Sequence, residues 1–236
     1  MSNNLNLIRT KSKQGGTIYA MQTNKVLLTI GAVILSFVVL FGVYKLVNGP
    51  DTNDFPETKT VKATDHIQWS SEKKNIMVEY SDFQCPACKN MHNMFKGFEA
   101  SASPDLDITK KFTLVYRHYP LYQIHPSSID ASYAAEAAGK QNKFNEMADL
   151  LFENQEDWGK NSNPKEYFVN LAKQLSLNID QFKKDVNSSD VINKVQEDIT
   201  SGNKLGINQT PTLFVNGRKQ NDIGLIADFT KMLRSL

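Results

Sequence analysis

Both cysteines of the chain lie in FQCPACKN, residues 83–90. Cys85 and Cys88 are three positions apart, and Pro86 follows the first. A C-x-x-C pair supports three readings: a redox dithiol, half of a metal site, or two inert buried thiols. The metal reading needs two further ligands, and His92, His118 and His125 lack paired metal-ligand spacing. His92 also lies off the apolar stripe of its segment and reads as a solvated surface residue. The expectation is that no metal and no cofactor is used.

The elements around the pair favour redox chemistry. NIMVEYSDF, with Ile76, Met77, Val78 and Tyr80, predicts a β-strand that runs straight into the cysteines. Beyond them Met91, Met94, Phe95 and Phe98 recur at i, i+3, i+4 and i+7, which is one face of a helix. The pair therefore sits where a strand hands over to a helix. Pro86 suits the first helical turn, where a missing N–H costs nothing, and Cys85 lies at the positive end of the helix dipole. Helix N-termini and C-x-x-C settings lower a thiol from about 8.5 to roughly 3.5–7.5, so Cys85 is expected to be largely thiolate at neutral pH. Cys88, one turn along, gains less from the dipole and is the natural resolving thiol. A disulfide closing so short a loop adds little chain-entropy stabilisation, so it is suited to being broken. With no third cysteine, nothing else in the chain can trap it.

Further on, KFTLVYRHYPL, residues 111–121, predicts a second strand ended by Pro120. Four helical patterns follow: SSIDASYAAEAAGKQN with a Ser127–Asp130 capping box, FNEMADLLFENQ, PKEYFVNLAKQL opening on Pro164, and SDVINKVQEDI. TPTLFVNG, residues 210–217, is an apolar strand ending in an Asn-Gly turn, and LIADFTKMLRSL closes the chain as an amphipathic helix. This order predicts an α/β domain over residues 66–236, with a helical insertion at about 122–206. Glu79 falls in the first strand, which this plan makes central and buried on both faces, so it reads as a partly buried proton acceptor.

Ahead of the domain, VLLTIGAVILSFVVLFGVY, Val26–Tyr44, carries no charge. Its nineteen residues reach roughly 28 Å at 1.5 Å each, close to the ~30 Å of a bilayer's hydrocarbon core. Residues 26–47 are read as an uncleaved transmembrane signal anchor, because GVYKLVNGP offers no A-x-A cleavage pattern. Residues 1–25 carry Arg9, Lys11, Lys13 and Lys25 with no acid, which predicts a cytoplasmic tail and an extracytoplasmic domain at the cell membrane. Residues 48–65 hold two prolines and many polar residues and read as a linker. The net charge of +2 gives no support to nucleic-acid binding.

Residues 76–236 resemble the DsbA-like thiol:disulfide oxidoreductases of the thioredoxin superfamily. CPAC resembles their C-P-x-C, with Cys85, Pro86 and Cys88 in place. Glu79 stands six residues before Cys85, where the family has a buried acid. RHYPL is similar to their strand-end motif, and the long helical insertion is a family trait that plain thioredoxins lack. TPT resembles the loop whose proline is cis and faces the disulfide, which implies that role for Pro211 with Thr210 before it. The resemblance implies a thioredoxin-like fold, here behind the membrane anchor read at residues 26–47, that gives its disulfide to cysteine-containing exported proteins. A reductase or isomerase on the same scaffold, or a tethered binding module, is the alternative. The resemblance also implies reoxidation by a quinone-linked membrane protein of the DsbB or vitamin K epoxide reductase type; the apolar segment itself is expected to sit in membrane lipid. One departure is Ala87, where many members carry histidine or serine before the second cysteine; an alanine side chain cannot stabilise the neighbouring thiolate.

Overall fold

The strand predicted before the cysteines is β2 (Ile76–Ser81), with all six residues buried. In the computed structural model, residues 14–47, 53–70, 72, 75–221 and 226–235 are described. Cys85 caps α2 (Pro86–Glu99), with Pro86 in the first turn, and the buried face of α2 is Cys88, Met91, Phe95 and Phe98. After the short α3 (Ile108–Lys111) comes β3 (Thr113–His118), parallel to β2. The predicted NG turn joins β4 (Thr212–Val215) to β5 (Arg218–Gln220), and Asn216 and Gly217 adopt the positive φ that such a turn requires.

The sheet also has an edge strand with no clear signal in the sequence, β1 (His66–Trp69), antiparallel to β3. The strand order β1-β3-β2-β4-β5 leaves β2 in the middle. Met77, Leu114, Leu213 and Val215 pack with α2 and the closing helix α10 (Ile226–Arg234). Ile76, Val78, Tyr80, Val115 and Phe214 form a second cluster that Phe55 and Val61 cover.

The insertion comprises α4 (Ser128–Gly139), α5 (Phe144–Glu153), α6 (Gln155–Gly159), α7 (Pro164–Gln174), α8 (Ile179–Asp185) and α9 (Ser189–Lys204). Its apolar residues Met147, Leu151, Phe152, Trp158 and Phe168 cluster with Phe83, Cys85 and Cys88. The redox turn is thus roofed by the insertion. The expected Ser127 capping bond does not form; instead the Ser127 N–H donates to the Gln84 side chain at 2.8 Å.

The folded unit begins at Asn53, so residues 53–65 belong to it and are not a tether. The reason is Arg117, fully buried on β3. Its guanidinium binds the Asp65 carboxylate at 2.9 Å and donates to the carbonyls of Glu57 and Thr60. The polar composition read as linker is the partner set of a buried cation. By itself, α1 (Gln14–Val47) contains Val26–Lys45, the one stretch among the described residues long and apolar enough to cross a membrane. This helix begins inside the segment read as a tail; Arg9, Lys11, Lys13 and linker residues 48–52 lie outside the described residues.

Candidate active site

Cys85 and Cys88 are free thiols, one turn apart at the start of α2. Cys85 is 7% exposed and Cys88 is fully buried. The Cys85 thiol donates to the Thr210 carbonyl at 3.4 Å, and the Thr210–Pro211 peptide bond is cis. A loop 125 residues away in sequence therefore touches the first sulfur. Gln155 of α6 donates to the carbonyls of Phe83 and Cys85 at 2.7 and 3.0 Å, tying the insertion to the redox turn.

The two thiols are electrically unlike. A hydrogen bond from Cys88, reinforced by the Thr210 side chain and by the backbone N–H groups of Cys88 and Ala87, outweighs burial and lowers the Cys85 thiol from 9.0 to about 5. Ala87 thus supports the thiolate with its backbone. Burial, the bond to Cys85 and the charges of Cys85 and Glu79 push Cys88 well above the ordinary thiol range. The arrangement makes Cys85 a thiolate and a good leaving group at neutral pH, and keeps Cys88 protonated.

Glu79 is 4% exposed on the central strand, opposite Tyr116. Burial raises its carboxyl to about 7; a hydrogen bond with Ser81 opposes this, and the charge at Cys85 adds to it. A narrow cavity of about 20 Å³, room for roughly one water, is lined by Glu79, Tyr116 and His92 among others. His92 is not solvated: its side chain is 14% exposed, pairs with Asp149 at 3.3 Å and stacks on Phe152. The cause is α5, which packs over that face of α2. Beside the thiols an open groove of about 730 Å³ is bounded by Ala87, Asn90, Met94, Thr210, Pro211 and Ile226.

Asp82, Gln155 and His125 also contact the redox turn or residues that do, and sequence reasoning missed all three. Asp82 had a visible signal, a charge at a strand end three residues before Cys85. Gln155 and His125 had none, because the insertion brings them in. Among the described residues, no group of three or more histidines, cysteines or carboxylates is placed to hold a metal.

A five-stranded sheet, an asymmetric dithiol at a helix N-terminus and a cis-proline loop against it make a site suited to thiol–disulfide exchange on a thioredoxin-like fold. A family model described as Thioredoxin matches residues 62–234, and the chain belongs to that family. Similar solved structures are α-DsbA1 of Wolbachia pipientis (21% identity, TM-score 0.63, covering 75% of this chain and 92% of that one), and oxidised BdbD of Bacillus subtilis (20%, 0.59, 73% and 92%). MdbA, a thiol-disulfide oxidoreductase from Corynebacterium diphtheriae, is similar at 18% identity and a TM-score of 0.56, covering 80% and 98%. Curated relatives include the Na(+)/H(+) antiporter NhaA 1 of Mycolicibacterium vanbaalenii, 33% identical over 196 residues, and NhaA of Herminiimonas arsenicoxydans, 30% identical over 200 residues. These matches cover 80% and 81% of this chain but 30% of each antiporter, so the chain spans about a third of their length.

Proposed function

We propose that the chain is an extracytoplasmic oxidase, held at the cell membrane by α1 with its N-terminus in the cytoplasm, that gives the Cys85–Cys88 disulfide to cysteines of exported proteins. The observation that carries this reading is the asymmetry of the thiols, with Cys85 lowered to about 5 and Cys88 raised. A substrate thiolate attacks the Cys85 sulfur; the Cys85–Cys88 bond breaks, a Cys85–substrate disulfide forms, and Cys88 leaves. Glu79, near enough that its ionised form raises Cys88 and itself raised to about 7, is in its protonated form the proton source for that buried leaving group. A second substrate thiolate then attacks the substrate sulfur and expels Cys85 as thiolate, the better leaving group of the pair. The substrate has lost two electrons and two protons, and both enzyme thiols are reduced. Reoxidation returns the two electrons to an acceptor, for which a quinone-linked membrane protein of the DsbB or vitamin K epoxide reductase type is the chemical fit. Thr210 and Pro211 border the groove where the substrate segment lies beside Cys85. Antiport is not carried over from relatives three times as long.

Cys88→Ser should accumulate mixed disulfides with exported proteins, seen as bands on non-reducing gels that thiol reductant removes. Cys85→Ser should show none. Equal trapping by both variants would remove the assignment of roles.

A further inference from the structure

Asp82 is fully buried beneath the redox turn, and a buried carboxylate is tolerated only with hydrogen bonds to its oxygens. Oδ1 accepts from the Gln84 N–H at 2.8 Å. Oδ2 accepts from the Leu121 N–H at 2.8 Å and meets His125 Nδ1 at 2.7 Å. A carboxylate can only accept, so the His125 ring carries its proton on Nδ1. The main chain of Asp82 faces the thiols: its carbonyl accepts from the Cys85 N–H at 3.0 Å, and its N–H donates to the Cys88 sulfur at 3.4 Å. A Cys88 sulfur that accepts from this N–H keeps its own proton directed at Cys85, the contact that does most to hold the Cys85 thiolate.

We propose that His125 is a positioning residue for the redox pair: its grip on the Asp82 carboxylate holds the Asp82 N–H on the Cys88 sulfur and, through it, the Cys88 thiol on Cys85. The inference rests on the thiol–disulfide reading of this site. His125 lies 43 residues beyond Asp82, in the loop between β3 and α4 that the Leu121 and Ser127 N–H groups also fasten to the turn. It reaches the thiols from beneath, whereas the two residues between them, Pro86 and Ala87, offer no side-chain donor. The charge-assisted bond from the Cys88 thiol to the Cys85 thiolate exists only in the reduced state, so the reduced state is the one that loses when the grip is released.

The test uses the full-length chain in detergent with two substitutions. His125→Leu keeps comparable bulk without a donor; His125→Asn places an amide N–H where Nδ1–H stood. Two quantities are measured: the equilibrium with reduced and oxidised glutathione, and the rate of Cys85 alkylation across pH. His125→Leu should move the equilibrium about tenfold toward the disulfide form, roughly 30 mV, and slow alkylation below pH 7. His125→Asn should stay within about twofold of the unchanged protein. Wild-type values for His125→Leu, or an equal shift in both variants, overturn the proposal. His125→Ala carries the same comparison if the leucine chain does not fold. Alkylation reads Cys85 directly, so a protein that fails to oxidise exported substrates would sink the proposed oxidase while this measurement still decides the role of His125.

Discussion

Glu79 shows what one residue contributes when it is placed against its own preference. Its carboxyl is raised to about 7, first by burial, against the Ser81 bond and with the Cys85 charge. A raised folded value favours the fold below the unfolded value of 4.5, and that advantage is lost as pH rises through about 7. Glu79→Gln should therefore stabilise the domain by about 2 kcal/mol at pH 8 and change little at pH 4. The same substitution should slow disulfide exchange about tenfold or more, because buried Cys88 loses its proton donor. Urea unfolding at the two pH values and stopped-flow exchange check both halves, and a destabilised variant at pH 8 would contradict the assignment. The acid was legible in the sequence because a charge interrupts an apolar strand; its burial was legible because the strand is central. The Asp82–His125 contact was not, since nothing local records which loop returns to the turn.

At the scale of elements, the insertion is fastened to the sheet by a buried carboxylate. Glu136 of α4 accepts from His118 at 2.8 Å on β3 and lies 2.9 Å from His66 on β1. Burial alone would raise its carboxyl, but the bonds to His118 and His66 prevail and hold it well below the usual carboxylate range. A depressed value contributes stability above the unfolded 4.5, lost as pH falls toward the folded one. Glu136→Gln should cost about 3 kcal/mol at pH 7 and flatten the acid limb of stability below about pH 5. Melting temperatures from pH 3 to 7 test this, and parallel acid limbs in the two proteins would refute it. Elements with strong periodicity, α2, α7 and β4, were legible from Met91–Phe95–Phe98, Pro164 and TLFV. β1 was not, because its four half-buried residues show no alternation. Residues 53–65 misled for a related reason: their polar groups serve Arg117, a partner remote in sequence.

For the whole molecule, the direction of electron flow depends on which redox state folds more stably. Cross-linking Cys85 to Cys88 restricts the unfolded chain by about 2 kcal/mol for so short a loop, which favours the oxidised protein at every pH. The Cys85 thiolate opposes it in the reduced protein alone. Lowering the thiol from 9.0 to about 5 is the depressed case, so its contribution appears as pH rises above about 5, is complete above 9 and is absent in acid. The burial cost of Glu79 is common to both states and largely cancels. The two effects therefore change order with pH. Guanidinium unfolding of residues 53–236 should give the higher midpoint to the oxidised form at pH 5 and to the reduced form at pH 8. A protein whose reduced form is the stabler one releases free energy when it hands its disulfide to a substrate, which an oxidase at neutral pH requires. An oxidised form that keeps the higher midpoint at pH 8 would reverse the favoured direction and make the chain a reductase or isomerase on the same scaffold.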